Sequence, residues 1–557
     1  METQCNATYL DFPMLGRREI LASFDGGDIT SDGGGLLLRQ VEQSTGIIRQ
    51  FAACFTDHRN PDRIEHTREH LIAQRVYALA LGYEGLNDHD DLRRDPLLAT
   101  LVGKTDPTGS ERARPRDRGK ALAGKSTLNR LELTPVGADP DSRYKKITCS
   151  THPVAELLVS LFLQAHRTPP ERIVLDLDAT DGPIHGHQLG RFFHGYYQNY
   201  CYLPLYIFCG DHLLCARLRP SNIDASAGAL KQLKRIVSRI RQQWPQVKIV
   251  IRADSGSCRD EILSWCEDDG VDYTIGLAQN PRLVGAIAAE LEQAKQQFEA
   301  TKQPARIFTE LRYRTLDSGS RERRVVAKAE HLEKGSNPRF VVASLSAEQR
   351  VAQALYERDY CGRGEMENRI KEQQLHLFAD RTSARTMRAN QIRLYFSAIA
   401  YLLLEALRRL GLAGTELARA QCQTIRLKLL KIGALVRVTV RKVWVSLASS
   451  CPYAELFRRV QATLARLPPL ILGCCRQPSR RPEGSEPAPR GAEAFEVRCA
   501  GACHAWRSAQ DASGGSRNQS DGALNPESGP RESAAHHRRP QGRRPKAIAI
   551  PLVRNAG

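Results

Sequence analysis

The sequence predicts an α/β protein in which a mixed β-sheet lies between helical regions. From residue 171 onward, apolar strand-like runs alternate with amphipathic helices, beginning with RIVLDLDAT. The order strand, hairpin, helix, strand, helix is typical of a mixed sheet. Residues 306–346 then form a β-rich block without intervening helices, and helical patterns precede and follow the strand-rich stretches.

Individual segments of the chain carry helix or strand patterns. HTREHLIAQRVYALALGYEGL is a predicted helix of the N-terminal region. CYLPLYIFCG and HLLCARLRP are predicted strands that meet at a Gly210-Asp211 turn. AGALKQLKRIVSRIRQQW is a predicted helix with a basic face, and VKIVIRADSG a buried strand. RIFTELRYRT, RRVVAKAEHL and RFVVASLS are predicted strands of the later block.

The length, charge and apolar runs of the chain limit the kinds of function to be considered. The chain has 557 residues, enough for two to four domains, and its 81 Lys and Arg against 62 Asp and Glu give a net charge of +19. Such an excess favours a polyanionic partner, first of all nucleic acid. No signal peptide is visible, and the longest apolar run, IRLYFSAIAYLLLEAL, contains charges, is short for a membrane span and is instead a predicted core helix. We therefore expect a cytoplasmic protein without a membrane partner.

Two predicted strands end in aspartate. Asp178 closes RIVLDLD and Asp254 closes VKIVIRAD. Carboxylates at the ends of neighbouring strands can share divalent cations, and two such ions can clamp the attacking and leaving oxygens of a phosphoryl transfer. Mg²⁺ suits such a site. A single strand-end Asp is more often a turn-capping residue, so the pair carries the prediction.

A third element is YERDYCGRGEMENRIKEQQL. If this segment is helical by Arg363, then Arg363, Glu367 and Lys371 share one face. Glu367 could complete a metal site and the two cations could face phosphate. A solvated, salt-bridged helix surface is the alternative interpretation.

Five blocks carry a resemblance to a known family. They are LDLDATDGPIHGHQLGRFFHGYYQNYCYLPLYIF, IRADSG, DYTIGLAQNPRL, RRVVAKAEHL and YCGRGEMENRIKE, in this order. Over roughly residues 20 to 470 the chain resembles the DDE transposases of bacterial insertion sequences, in particular the insertion-sequence 1380 family within the broader insertion-sequence 4 group.

The resemblance implies an RNase H-like catalytic core and a specific site. The catalytic, metal-binding carboxylates would be Asp178, Asp254 and Glu367. Asp176, two residues before Asp178 on the same strand face, is the alternative first ligand. The family motif also matches Tyr360 and Arg363.

The motif also bears on DNA contacts. Its last position, a Lys in the family, is Gln374 in this chain. Lys371, one turn after Glu367, is expected to supply that charge. Tyr360, Arg363 and Lys371 are thus the predicted DNA-binding residues.

The implied activity is cleavage at transposon ends followed by strand transfer to target DNA. It would use two Mg²⁺ ions, with Mn²⁺ as a substitute, in a homo-oligomer on DNA associated with the bacterial nucleoid. The alternatives are an RNase H-like nuclease without strand transfer and an inactive relic that only binds DNA.

Six regions follow from this interpretation. They are an N-terminal helical, DNA-binding region (1–165), a first segment of the catalytic core (166–280), a β-rich insertion (281–354), a second segment of the catalytic core (355–412), a C-terminal helical region (413–475) and a disordered, low-complexity basic tail (476–557).

One motif predicts no function. GKALAGKS, residues 119–126, fits the phosphate-binding loop pattern, but the preceding SERARPRDR is no core strand, which that loop requires. We therefore expect no nucleotide partner.

Overall fold

The structure, a computed structural model, describes residues 9–468. The predicted tail lies outside this range. The N-terminal region is mainly helical, with short strands: β1 (Leu10–Leu15), β2 (Arg18–Ala22), β3 (Ile29–Thr30), α1 (Gly35–Thr45), α2 (Ile47–Ala53), β4 (Phe55–Asp57), α3 (Arg68–Leu81), α4 (His89–Leu92), α5 (Pro96–Val102), α6 (Lys125–Glu132), β5 (Ile147–Cys149) and α7 (Thr151–Ala165). Pro61–Arg63 and Pro115–Asp117 form single 3₁₀ turns.

The middle of the chain supplies most of the sheet. Its elements are β6 (Arg172–Ala179), β7 (Gly182–Pro183), β8 (Phe192–His194), β9 (Asn199–Tyr202), β10 (Leu205–Cys209), β11 (His212–Arg217), α8 (Ala229–Gln243), β12 (Lys248–Ala253), a 3₁₀ turn (Ser255–Ser257), α9 (Asp260–Asp268), β13 (Asp272–Leu277), α10 (Pro281–Ala286), α11 (Ala288–Thr301), β14 (Ala305–Tyr313), β15 (Arg323–Leu332), β16 (Gly335–Ser336) and β17 (Arg339–Ala343).

A helical segment and a hairpin complete the described chain. The elements are α12 (Ala352–Ala354), a π-helical stretch (Leu355–Tyr360), a 3₁₀ turn (Cys361–Arg363), α13 (Gly364–Lys371), a second π-helical stretch (Glu372–His376), α14 (Met387–Gly411), α15 (Cys422–Ile425), a third π-helical stretch (Arg426–Leu430), β18 (Ala434–Val438), β19 (Val443–Leu447) and α16 (Ala454–Ala465).

One nine-stranded mixed sheet organises these elements. Its order is β11-β10-β6-β12-β13-β17-β15-β14, with β16 paired to β15. Strands β11, β10 and β6 are antiparallel neighbours, whereas β6, β12 and β13 run parallel. The predicted hairpin turns at Gly210, whose φ of 57° suits glycine. The predicted mixed α/β sheet is confirmed, and the later β-rich block continues this sheet beyond β13.

Each face of the sheet contributes to a different core. Leu175 and Leu177 of β6 pack with α8 and α9 on one face. Tyr206 and Phe208 of β10 point to the opposite face and join the core of the N-terminal helices and α14. This alternation follows from the two-residue period of a strand. It directs Asp176 and Asp178 to the face that α13 and α14 cover.

The long helix α14 occupies the centre of the second core. Its 25 residues are almost all buried, and it contacts α1, α2, α3 and β11. The Thr386 hydroxyl accepts a hydrogen bond from the Ala389 backbone N–H and caps its first turn. The sequence predicts this apolar run to be a buried core helix, and the structure confirms it. Within residues 9–468, no helix is long and apolar enough to cross a membrane.

The predicted helical character of residues 413–475 departs from the structure at the β18–β19 hairpin. Ala434 and Val436 are buried while Leu435 and Arg437 are exposed, which is the alternation of a strand. Strand β18 also pairs with β3, from the opposite end of the described chain. Such a long-range partner leaves no local pattern in the sequence.

Candidate active site

Two aspartates meet at one end of the sheet. In the parallel register of β6 and β12, Leu177 lies opposite Ala253, so that Asp178 and Asp254 are the next residues of their strands. Both are half-buried. The Asp254 carboxylate makes no capping hydrogen bond to the turn that follows it. The turn-capping interpretation therefore does not account for Asp254.

The third carboxylate belongs to α13. Met366 and Ile370, four residues apart, are buried in the core under this helix. They fix its rotation, because residues four apart lie on one helix face. Glu367 keeps 38% of its side chain exposed, and its Oε1 forms an ion pair with Arg363 Nη2 at 2.6 Å.

Charge interactions link Asp178 to the other two carboxylates. Burial, together with the negative charges of Asp254 and Glu367, raises the pKa of Asp178 to about 6, against the opposing charge of Arg363. Like charges that disfavour ionisation of one another are a frequent feature of functional sites.

Arg363 is the cation among these acids. Burial alone would lower the pKa of its guanidinium, but the nearby acidic groups, chiefly Asp178 and Glu367, together outweigh burial and raise the pKa above its usual value. Its side chain is 20% exposed. A guanidinium held there remains accessible to an anionic ligand.

Tyr360 and Lys371 occupy different surroundings. The Tyr360 hydroxyl lies beside Gly276 of β13, where a Cβ atom would come within 2.6 Å of it. Glycine at this position therefore lets the tyrosine pack against the sheet next to Asp254. Burial raises the Tyr360 pKa. Lys371 is exposed at the end of α13.

The structure gives Asp176 a partner of its own. Arg252 donates two hydrogen bonds to the Asp176 carboxylate, and the pair is buried. Arg252 also donates to the Asp359 carbonyl at 2.7 Å. Sequence reasoning did not find this pair, although an arginine inside an apolar strand two residues before Asp254 is a usable signal. The pairing favours Asp178 over Asp176 as the accessible carboxylate.

The sequence patterns also did not predict the buried glutamate Glu372. Glu372, one residue after α13, accepts hydrogen bonds from Arg408 Nη2 at 2.8 Å and from the Cys422 backbone N–H at 2.9 Å. Arg369 completes its ion pairs. These contacts attach the end of the Glu367 helix to α14 and α15. Gln374 lies on the same side as the first aspartate, since its side-chain amide donates to the Asp181 carbonyl.

The sequence profile of the family described as transposase DDE domain group 1 matches residues 12–469. The chain belongs to this transposase DDE family. No curated protein sequence matches it at a significant level.

Among solved structures, the transposase is similar to the piggyBac transposase in its cryo-EM synaptic complex with hairpin DNA. The TM-score is 0.35 with 11% identity, over 79% of this chain and 86% of that one. So distant a likeness says nothing about individual site residues.

The donor atoms of this candidate site suit a hard cation. Asp178, Asp254 and Glu367 offer only carboxylate oxygens, which Mg²⁺ prefers over nitrogen or sulfur. Across residues 9–468, however, no three His, Cys, Asp or Glu side chains already stand in a metal-holding arrangement. Glu367 is engaged with Arg363 instead.

The phosphate-loop pattern has a structural explanation in the transposase. Lys125 begins α6 and forms an ion pair with Asp90 at 3.2 Å. A 3₁₀ turn and irregular chain, rather than a strand, precede it. The mechanism of a phosphate-binding loop needs that strand.

Proposed function

We propose that this transposase cleaves DNA at the ends of a mobile element and joins the freed 3′ ends to target DNA. One observation carries the proposal: Asp178 and Asp254 close adjacent parallel strands, and Glu367 on a separate helix is electrostatically coupled to Asp178. Three converging carboxylates are the requirement of two-metal phosphoryl transfer. The sequence blocks further support the insertion-sequence 1380 family.

The strand arrangement supports an RNase H-like core. Numbered along the chain, the five strands β6, β10, β11, β12 and β13 lie in the order 3-2-1-4-5. The first three are antiparallel and the last two run parallel to the first. A mixed sheet of this kind is what the RNase H-like assignment requires.

Asp178, Asp254 and Glu367 would hold Mg²⁺, or Mn²⁺ in its place, as two ions. When bound, such ions polarise the scissile phosphodiester and favour deprotonation of the attacking hydroxyl or water. The like charges around Asp178 support a divalent cation here, because a cation would offset the repulsion that raises the pKa of this carboxyl.

The basic residues would act on the DNA phosphate. Arg363 neutralises the phosphodiester next to the carboxylates, and in doing so releases its ion pair with Glu367. Lys371 and Tyr360 contact the flanking backbone. Because two element ends must be cut and joined in concert, we expect a homo-oligomer on DNA.

Different regions of the chain would bind DNA and carry out the chemistry. We assign DNA binding to the helical region 1–165 and chemistry to 166–280 and 355–412, interrupted by 281–354. The described residues of 413–475 pack against the core through α16, which contacts α1 and α14.

The test uses duplex DNA carrying the sequences that flank the gene itself. The duplex is incubated with the protein and Mg²⁺, Mn²⁺ or EDTA, and a labelled target plasmid is added. The proposal predicts metal-dependent nicks at a fixed position and covalent joining to the plasmid. Cleavage without joining would indicate a nuclease, and binding without cleavage a relic; either result contradicts the proposed transposition.

A further inference from the structure

A basic groove lies at the β11 edge of the sheet, between α7, α8 and α14. It encloses about 550 Å³. Four cationic side chains line it: Arg217, Lys231, Arg235 and Arg388. None of the predicted site residues belongs to it.

The charge of the groove is largely uncompensated. Among residues 9–468, no carboxylate forms an ion pair with Arg217, Lys231 or Arg388, and Arg217 and Lys231 are exposed. Arg235 pairs with Glu156 at 3.0 Å through Nη1, while its buried Nη2 has no hydrogen-bond partner in the described chain. The exposed cations Arg217 and Lys231 without a carboxylate partner therefore favour an anionic ligand in the groove.

The floor of the groove is rigid. Gln391 of α14 accepts from the Leu218 backbone N–H at 2.7 Å and donates to the Ala216 carbonyl at 3.1 Å. Arg388 is held by the Thr134 and Cys149 carbonyls at 3.2 and 2.8 Å. The polar groups of the floor therefore form hydrogen bonds within the protein. The exposed cations Arg217 and Lys231 at the rim remain available to a ligand. Such a surface suits phosphates rather than base edges.

The groove and the carboxylates lie at the same end of the sheet. Leu205 of β10 pairs with Arg217 of β11 on one side and with Ala179 of β6 on the other. The backbones of Arg217 and Ala179 are therefore two strand spacings apart, roughly 10 Å. Asp178 shares its face of the sheet with Tyr206 and Ala216, whereas the next residue, Arg217, lies on the other face. The groove therefore follows the β11 edge, beside the face that bears the carboxylates.

We propose that this groove is a second DNA-binding site, which holds the phosphate backbone of the duplex at the β11 edge of the sheet, away from the scissile position. The inference rests on the proposed function for the identity of the polyanion. The groove binds DNA independently of sequence, and it sets the direction in which the duplex leaves the carboxylates.

Arg217→Gln and Lys231→Gln, singly and together, test the groove. Both side chains are exposed and make no ion pair in the described chain, so the melting temperature should not change. Lys248→Gln is the matched control, because Lys248 begins β12 at the opposite end of the sheet and its side chain is 69% exposed.

Binding of the flanking-sequence duplex and of an unrelated duplex is titrated at several salt concentrations. Each groove substitution should lower the slope of log affinity against log salt by about 0.9, which at about 0.1 M salt is roughly an eightfold loss of affinity. Both duplexes should lose equally, and Lys248→Gln should bind like the wild type.

Slopes that match the wild type in the double variant, or an equal loss in Lys248→Gln, would overturn the groove assignment. The binding readout does not depend on catalysis. A wild type that binds through the groove but never cleaves would contradict the proposed function alone, whereas cleavage with unchanged groove variants would contradict the groove alone.

Discussion

Arg252 and Asp176 form a buried, bidentate ion pair directly beneath the two strand-end aspartates. Arg252 Nε lies 2.5 Å and Nη2 2.8 Å from the two Asp176 carboxylate oxygens. Gly362 packs onto the guanidinium, where a Cβ atom would collide with it. The pair therefore connects β6 and β12 to the helical segment that carries Glu367.

The first prediction concerns this pair. Arg252→Ala should lower the free energy of unfolding by about 3–5 kcal/mol, because it leaves a buried carboxylate without its partner. Arg252→Lys should recover only a fraction of the loss, since an ammonium cannot reproduce the bidentate geometry. Urea denaturation measures both.

Lys248→Ala serves as the control for this experiment. It breaks an exposed pair with Glu171, with side chains 69% and 90% accessible, which should cost about 0–1 kcal/mol. Equal losses in Arg252→Ala and Lys248→Ala would show that the Arg252 pair does not stabilise the junction.

The second prediction follows from the raised pKa of Asp178. Because burial and neighbouring charges raise this pKa to about 6, the folded protein binds a proton more tightly than the unfolded chain. Asp178 therefore destabilises the fold progressively as pH rises from about 4 to about 6. Asp178→Asn should increase the free energy of unfolding by about 1–2 kcal/mol at about pH 7.5.

The gain should disappear below about pH 4, where the wild-type carboxyl is protonated in both states. Glu171→Gln, at a highly accessible carboxylate on the opposite sheet end, should show no such pH-dependent gain. Identical stability of Asp178→Asn and wild type across this range would refute the electrostatic coupling.

The third prediction separates Arg363 from Lys371. Removal of either cation should lower the salt slope of DNA binding by about one unit. Cleavage should fall further in Arg363→Ala, because this guanidinium lies among the carboxylates, whereas Lys371 is exposed at the helix end. If both variants keep the wild-type salt slope and wild-type cleavage, this helix face is a solvated, salt-bridged surface and does not contact DNA.

The fourth prediction concerns the phosphate-loop pattern. Lys125→Ala should change neither cleavage nor its independence of ATP, since Lys125 pairs with Asp90 on the surface. The cost in stability should be about 0–1 kcal/mol. ATP-stimulated cleavage that the substitution abolishes would show a nucleotide site.

Much of the fold is predictable because its signals are local. The strand over Arg172–Ala179 and the helix over Ala229–Gln243 each carry their period in the sequence. The β18–β19 hairpin escapes prediction, because β18 pairs with β3 from the other end of the described chain. Local periodicity contains no information about such a partner.

The candidate site also combines features that the sequence predicts with features that depend on distant partners. The sequence blocks predict which carboxylates converge, and in the structure the charges of Asp254 and Glu367 both raise the pKa of Asp178. Their catalytic roles remain predictions. The Arg252–Asp176 pair and the basic groove depend on strand register and on packing between distant helices, which no single segment encodes.

The central claim is that Asp178, Asp254 and Glu367 form the catalytic centre. The most direct measurement is single-turnover cleavage of the flanking-sequence duplex with Mg²⁺ by Asp178→Asn, Asp254→Asn and Glu367→Gln. Glu365→Gln, at an exposed position of the same helix, is the control.

Each of the three substitutions should lower the rate by about a thousandfold or more, equivalent to at least about 4 kcal/mol of transition-state stabilisation. DNA binding should be retained, and Glu365→Gln should cleave like the wild type. Near-normal cleavage by any one of the three variants would contradict the assignment of that carboxylate and, with it, the proposed centre.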